Sequence, residues 1–157
     1  MTLKSTVATA AIPYLVTLWT TALSATPMVV ADGSYTSDLP NQLLCVGFND
    51  QDNVPIIAGN QSLSDDGNNW RDDVISIQNQ MSVAAGDDFA STRNTAAAAL
   101  DIVFDAVIND RQLGTTIDPP GFAFPGTYTF RQGWASNGER LVIVDFEVAI
   151  LVKGWGG

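Results

Sequence analysis

The stretch from Asp87 to Gly114, DDFASTRNTAAAALDIVFDAVINDRQLG, constrains the fold more than any other part of the chain. Its apolar residues Phe89, Ala96, Leu100, Val103, Phe104, Val107 and Ile108 recur at helical spacing, with Asn94, Asp101, Asp105 and Asn109 on the other side. Asp87 or Asp88 is placed to cap the free N–H groups at the start. Arg111 suits the negative end, and Gly114 is placed to end the helix in a left-handed conformation. The run Ala96 to Ala99 keeps side chains short, so the helix can lie close to its support. Strand patterns on both flanks predict that the support is a sheet.

Before the helix, Arg71 to Val83 alternates as a strand. Ile75, Ile77, Met81 and Val83 share one face, interrupted by Asn79, while Ser76, Gln78, Gln80 and Ser82 take the other, which is neutral and free to meet another surface. After the helix, Tyr128 to Trp134 and Arg140 to Lys153 form a hairpin through Ser136-Asn137-Gly138. Val142, Val144, Phe146, Val148, Ile150 and Val152 share a face of its second strand, with Asp145 and Glu147 opposite. Earlier, Gln42 to Phe48 is an apolar run of strand length, expected to be central, and Met28 to Val30 makes a short strand before the turn Asp32-Gly33-Ser34.

Thr2 to Ser24 has one charge, Lys4, then a mostly apolar stretch ending in small residues. A secretory signal has that outline. Thr6, Thr9, Pro13, Thr17, Thr20 and Thr21 break the stretch, and its apolar side follows a helical period through Val7, Ala11, Tyr14 or Leu15, Leu18 and Ala22. We read a helix packed on the sheet, kinked or started by Pro13. The stretch is too polar to span a bilayer.

Two segments resist regular assignment. Asn49 to Asn69 is long and polar, with the apolar island Val54 to Ile57, and is expected to be a projecting loop or extended hairpin. It holds Asp50, Asp52, Asp65 and Asp66 and no Lys or Arg. Thr115 to Gly126 contains three prolines and two glycines, and is expected to be irregular, with Phe122 and Phe124 stranded outside an obvious core. The tail Gly154-Trp155-Gly156-Gly157 ends the chain on one large aromatic.

The inventory of reactive groups is thin. The chain has no histidine, so the usual general base and commonest transition-metal ligand are missing. Its single cysteine, Cys45, sits in an apolar run and allows neither an internal disulfide nor a thiolate cluster. The acidic pairs Asp65/Asp66, Asp72/Asp73 and Asp87/Asp88 invite comparison with carboxylate catalysts, but solvated loops and a helix cap explain them. Asp50-Gln51-Asp52-Asn53 alternates oxygen ligands, yet lacks the glycine and distal Glu of a calcium loop. Serine has no histidine partner, and there is no phosphate-binding glycine loop. Seventeen acidic against seven basic residues give a net charge of −10, which opposes free nucleic-acid binding. We therefore expect no enzyme, no cofactor and no metal, but a single domain over residues 1–157 that works through its surfaces.

The order of elements resembles the tail terminator (tail completion) proteins of long-tailed bacteriophages. The resemblance runs through the N-terminal amphipathic helix, LLCVGFND at Leu43 to Asp50, the long excursion, and VISIQNQMSVAAGDD at Val74 to Asp88. It continues with RNTAAAAL from Arg93 to Leu100, DRQLG at Asp110 to Gly114, and the final strand pair. The proline-rich segment has no counterpart, and no catalytic residues carry over.

This resemblance implies an α+β fold, an antiparallel or mixed sheet with two helices on one face. It implies a homohexameric ring in the virion, at the neck-proximal end of the tail, assembled in the host cytoplasm. The ring would end tube growth and contact the tail-tube protein on one side and the neck or head-completion protein on the other. DNA would pass through without specific binding, and no membrane is involved. Asp50, Asp52, Asp65 and Asp66 then become candidates to line the channel, with the outer rim as the alternative, and Phe122, Phe124 and Trp155 become candidates for subunit contacts. Another head–tail connector, a tail-tube subunit, or a secreted β-rich binding module are the competing expectations.

Overall fold

The structure, a computed structural model, describes residues 4–35, 39–51, 53–63, 70–84 and 88–155. They form two helices and a six-stranded mixed sheet, an α+β fold. The elements are α1 (Lys4–Ala22), β1 (Val29–Asp32), β2 (Gln42–Val46), β3 (Ile57–Leu63), β4 (Trp70–Val83), α2 (Phe89–Ile108), β5 (Phe122–Trp134) and β6 (Arg140–Trp155). The strand order is β1-β2-β4-β6-β5. Only the β1–β2 pair is parallel.

Strand β4 organises the sheet because it is long enough to serve two neighbours on one side. Its second half, Asn79 to Val83, pairs with β2, and its first half, Arg71 to Ile77, pairs with β3. At the junction the Phe48 N–H donates to the Gln78 carbonyl and the Gln78 N–H to that of Ile56, so the ladder passes from one strand to the next without a gap. On its other side β4 pairs with β6 along its full length. The polar segment after β2 therefore returns as a strand, antiparallel to β4; residues 64–69, which connect the two, lie outside the described residues.

Register puts the apolar alternation of β4 and β6 on one face. Ile75 faces Ile150, Ile77 faces Val148, Met81 faces Val144 and Val83 faces Val142. Both helices pack there, and Val103 and Val107 of α2, with Leu15 and Trp19 of α1, are fully buried against it. Trp19 is the keystone. Its indole stands edge-on to Phe146, 5.7 Å between centroids, and its N–H donates to the Val103 carbonyl at 3.1 Å. A buried indole needs such a partner. Both described helices lie on this face, so the opposite face of the sheet carries no helix among the described residues.

Helix α1 buries Val7, Ala8, Ala11, Leu15 and Trp19, and Leu23 just after it continues this seam, one position from the expected one at Leu18 and Ala22. Pro13 lies inside the helix, on its exposed side. Thr17, Thr20 and Thr21 sit on solvent-facing turns because each hydroxyl donates to the carbonyl four residues back. Helix α2 starts at the Asp88 cap, whose carboxylate accepts the Ser91 N–H at 2.7 Å. It ends at Ile108 with Asn109 as cap, so Gly114 does not terminate it. Gly114 is left-handed at φ 68, as expected, but it serves the following turns: a Cβ there would lie 2.9 Å from the Tyr14 ring of α1.

One expectation fails outright. Phe122 to Pro125 is strand, not irregular chain, and pairs with Leu151 to Val148 of β6 before a register shift between Pro125 and Tyr128. Proline is tolerated because β5 is the outermost strand and its free side needs no N–H. Among the described residues no helix is long and apolar enough to cross a membrane.

Candidate assembly surface

The face of the sheet away from the helices mixes polar residues with apolar ones, and Leu43, Cys45 and Ala149 on it are buried. At its centre stand Gln80 of β4, Arg131 of β5 and Asp145 of β6, neighbours because β4, β6 and β5 are adjacent. Arg131 grips Asp145 through two nitrogens, Nε to Oδ2 at 2.8 Å and Nη2 to Oδ1 at 3.3 Å. The same Nη2 reaches Asp50 Oδ1 at 2.9 Å. Gln80 Nε2 donates to both carboxylates, at 2.7 Å to Asp50 and 2.8 Å to Asp145. Gln80 and Asp145 are nearly buried, so these bonds are needed to offset the loss of water.

The charges shift accordingly. Partial burial alone would raise the Asp50 carboxyl, but hydrogen bonds from Gln80 and Arg131 and the guanidinium charge outweigh it and hold the pKa below the ordinary carboxylate value. The hydrogen bond to Asp145 is the main cause that raises Arg131 further above its usual value. The cluster thus carries one cation and two carboxylates, all engaged with one another. It has no free base beside a nucleophile. The unpaired Asp50 expected from its own acidic segment is thereby corrected: its partner lies 81 residues away in sequence, beyond any local reading.

Beside the cluster the bare face opens into a cleft of about 700 Å³, bounded by Leu43, Cys45, Phe48, Gln80, Trp134 and Leu141 among others. Burial pushes the Cys45 thiol up, so it stays protonated and poorly nucleophilic. Among the described residues, no three His, Cys, Asp or Glu converge as metal ligands.

Phe122 and Phe124 lie on the bare face at the far end of β5, half-buried, with ring centroids 5.6 Å apart. The Arg111 guanidinium stands 5.7 Å from the Phe122 ring. The Trp155 backbone pairs with Trp70 at the end of β6, while its side chain lies outside the described residues, as do Asp52, Asp65 and Asp66 altogether. The structure therefore brings Asp50 to the bare face and does not unite the four aspartates at a described place.

The outer edge carries residues that sequence reading passed over. Beyond Ala123, whose N–H donates to the Arg111 carbonyl, β5 has no further strand on its far side among the described residues, and Tyr128, Phe130 and Trp134 line it on the helix side, with Tyr128 57% and Trp134 63% exposed. Phe104 of α2 meets Tyr128 edge-on at 6.1 Å, and Phe89 meets Trp134 at 5.4 Å. The Arg140 guanidinium lies over both Phe89 and Trp134. Arg93 Nη1 donates to Gln132 Oε1 at 2.5 Å between them. These contacts fix the rings from one side only. The signal was present as aromatics at alternate positions, which a strand pattern reports as core whether or not anything covers them.

No family model matches this chain, and no curated protein matches it.

Proposed function

We propose that this protein is a structural virion component, a tail-terminator ring at the neck-proximal end of a long phage tail. Six copies close the ring, stop growth of the tail tube and present the other face to the neck. The family assignment rests on the order of elements and the segments that resemble tail terminators. One observation carries the assembly role: the helices cover one face of the sheet only, leaving a bare face and an outer strand with three large exposed aromatics. Exposed apolar surface of this kind marks an interaction site in a folded chain. The mutual engagement of Asp50, Asp145 and Arg131, with no histidine in the chain, favours a surface role over catalysis.

DNA passes such a ring without specific binding, which a net charge of −10 favours because phosphates release no counterions on a surface poor in cations. The acidic segment around Asp52, Asp65 and Asp66 would line the channel.

Native mass spectrometry of the purified chain, followed by immunogold labelling of tails, tests the reading. A closed ring and a single label at the neck end are expected. Label along the whole tube would assign a tail-tube subunit instead, and a monomer absent from purified particles would overturn the virion role.

A further inference from the structure

We infer that successive copies join head to tail by strand pairing, Tyr128–Trp134 of β5 against Ile57–Leu63 of β3 in the next copy. This rests on the oligomeric reading above and gives it a specific junction. Four observations meet here.

The first is length. After its register shift β5 runs without interruption from Tyr128 to Trp134, and β3 runs from Ile57 to Leu63, seven residues. Neither stretch contains proline or lysine, the residues that usually protect an edge. Strand β1, the other free edge, has only four residues.

The second is direction. Strands β3, β4, β6 and β5 alternate strictly in sense. Setting β3 of a second copy beside β5 continues that alternation, so a simple rotation of one copy onto the next yields an antiparallel ladder.

Side-chain fit is the third. Ile57 pairs with Ile77 and Gly59 with Ile75, so both belong to the helix side of the sheet, the side on which Tyr128 and Phe130 stand. Ile57 is partly exposed, and nothing lies within 4 Å of a Cβ built on Gly59. A cross-strand ring over an edge glycine fills such space.

The fourth is charge. Arg93 and Arg140, two of the seven basic residues, flank β5 on its helix side, while Arg131 is engaged by Asp50 and Asp145 of its own copy. By sequence the segment that holds β3, Asn49 to Asn69, contains no Lys or Arg and three aspartates besides Asp50. Pairing β5 with β5 across a two-fold axis would set these arginines against their own copies, and like charges opposed across strands destabilise. Head-to-tail contact opposes unlike charges and is the kind of interface that closes into rings.

The test uses two variants of the whole chain, each damaging one edge. Tyr128→Lys with Phe130→Lys charges the β5 edge. Gly59→Lys places its Cβ in open space on β3, so it keeps the test valid should the first variant fold poorly. By native mass spectrometry the wild type is expected as a ring and each variant as a monomer, with the Tm of Gly59→Lys within about 4 °C of wild type. Mixed one to one, the variants should form a dimer and nothing larger, because each retains the edge the other lacks. Rings that persist in both variants, or a mixture that stays monomeric, would overturn this junction while leaving the ring intact as a reading. A wild type that is monomeric or a closed dimer would overturn both.

Discussion

Asn79 breaks the apolar face of its strand, and the reason is visible only in three dimensions. It is fully buried, its Oδ1 accepts the Gly47 N–H at 3.1 Å, and its Nδ2 donates to the Ile77 carbonyl at 3.1 Å. Gly47 is left-handed at φ 66, so the side chain secures the turn that ends β2. Replacement by Leu would leave that buried N–H unpaired and should cost about 1–3 kcal/mol in urea denaturation. An unchanged midpoint would remove Asn79 from this role. Asp50 makes a pH-dependent contribution of the opposite visibility. Its carboxyl titrates near the ordinary value of about 3.9 in the unfolded chain, and lower in the fold. The folded state therefore binds fewer protons in that window, so the contribution is present above the unfolded value and is lost as pH falls through the folded one. The difference in urea midpoint between wild type and Asp50→Asn should hold steady above about pH 5 and vanish in acid. It should be small throughout, because the pair with Arg131 is more than a third exposed.

At the scale of elements, the two helices are held to each other as well as to the sheet. Trp19→Ala would remove a fully buried indole, its edge contact with Phe146 and the bond to Val103, and should cost about 3–5 kcal/mol. A loss under 1 kcal/mol would deny α1 a place in the cooperative core. The Tyr14 hydroxyl donates to Asp110 beyond the end of α2, tying the helices at their polar rim. This bond is the main cause that raises the Tyr14 pKa, with burial and the Asp110 charge adding to it. For a group raised in the fold, the contribution is complete below the unfolded value of about 10 and fades as pH rises through the folded one. Tyr14→Phe should therefore cost about 1 kcal/mol at pH 7 and nothing in strong alkali. Both helices and the buried faces of β4 and β6 are legible as periodicity, since 3.6 and 2 residues per repeat follow from backbone geometry. The seam of α1 was one position off because small residues and threonines blur its apolar side. The first half of β5 was missed because proline and glycine deny strand locally, while an edge position permits them.

For the whole molecule, surface exposure is the quantity that matters. Phe122 and Phe124 are half-buried on the bare face, so they support the monomer in part and remain available to a neighbour. If the ring reading holds, changing both to Ser should weaken ring assembly more than the fold, with Tm falling by a few degrees, about 2–4 °C for each 1 kcal/mol lost. Equal loss of fold and ring would make them core residues instead. If the proposed channel role holds, replacing Asp52, Asp65 and Asp66 by Lys should leave tails assembled and slow DNA ejection, most of all at low salt, where screening is weak. Ejection at the normal rate at every salt concentration would move that segment away from the channel.

The sequence alone marked most of the elements, both helices and the strands β2, β4 and β6, with the apolar faces of β4 and β6, and its charge and missing histidine argue against free nucleic-acid binding and histidine-based catalysis. Those properties are local, because rise, twist and side-chain alternation repeat within a few residues. Only the tertiary structure decided who neighbours whom. It brought Asp50 to Arg131, set β2 and β3 in tandem along β4, and left Tyr128, Phe130 and Trp134 on an outer edge. Adjacency of this kind arises from loop closure and sheet order over tens of residues, for which the pattern of any one segment holds no record.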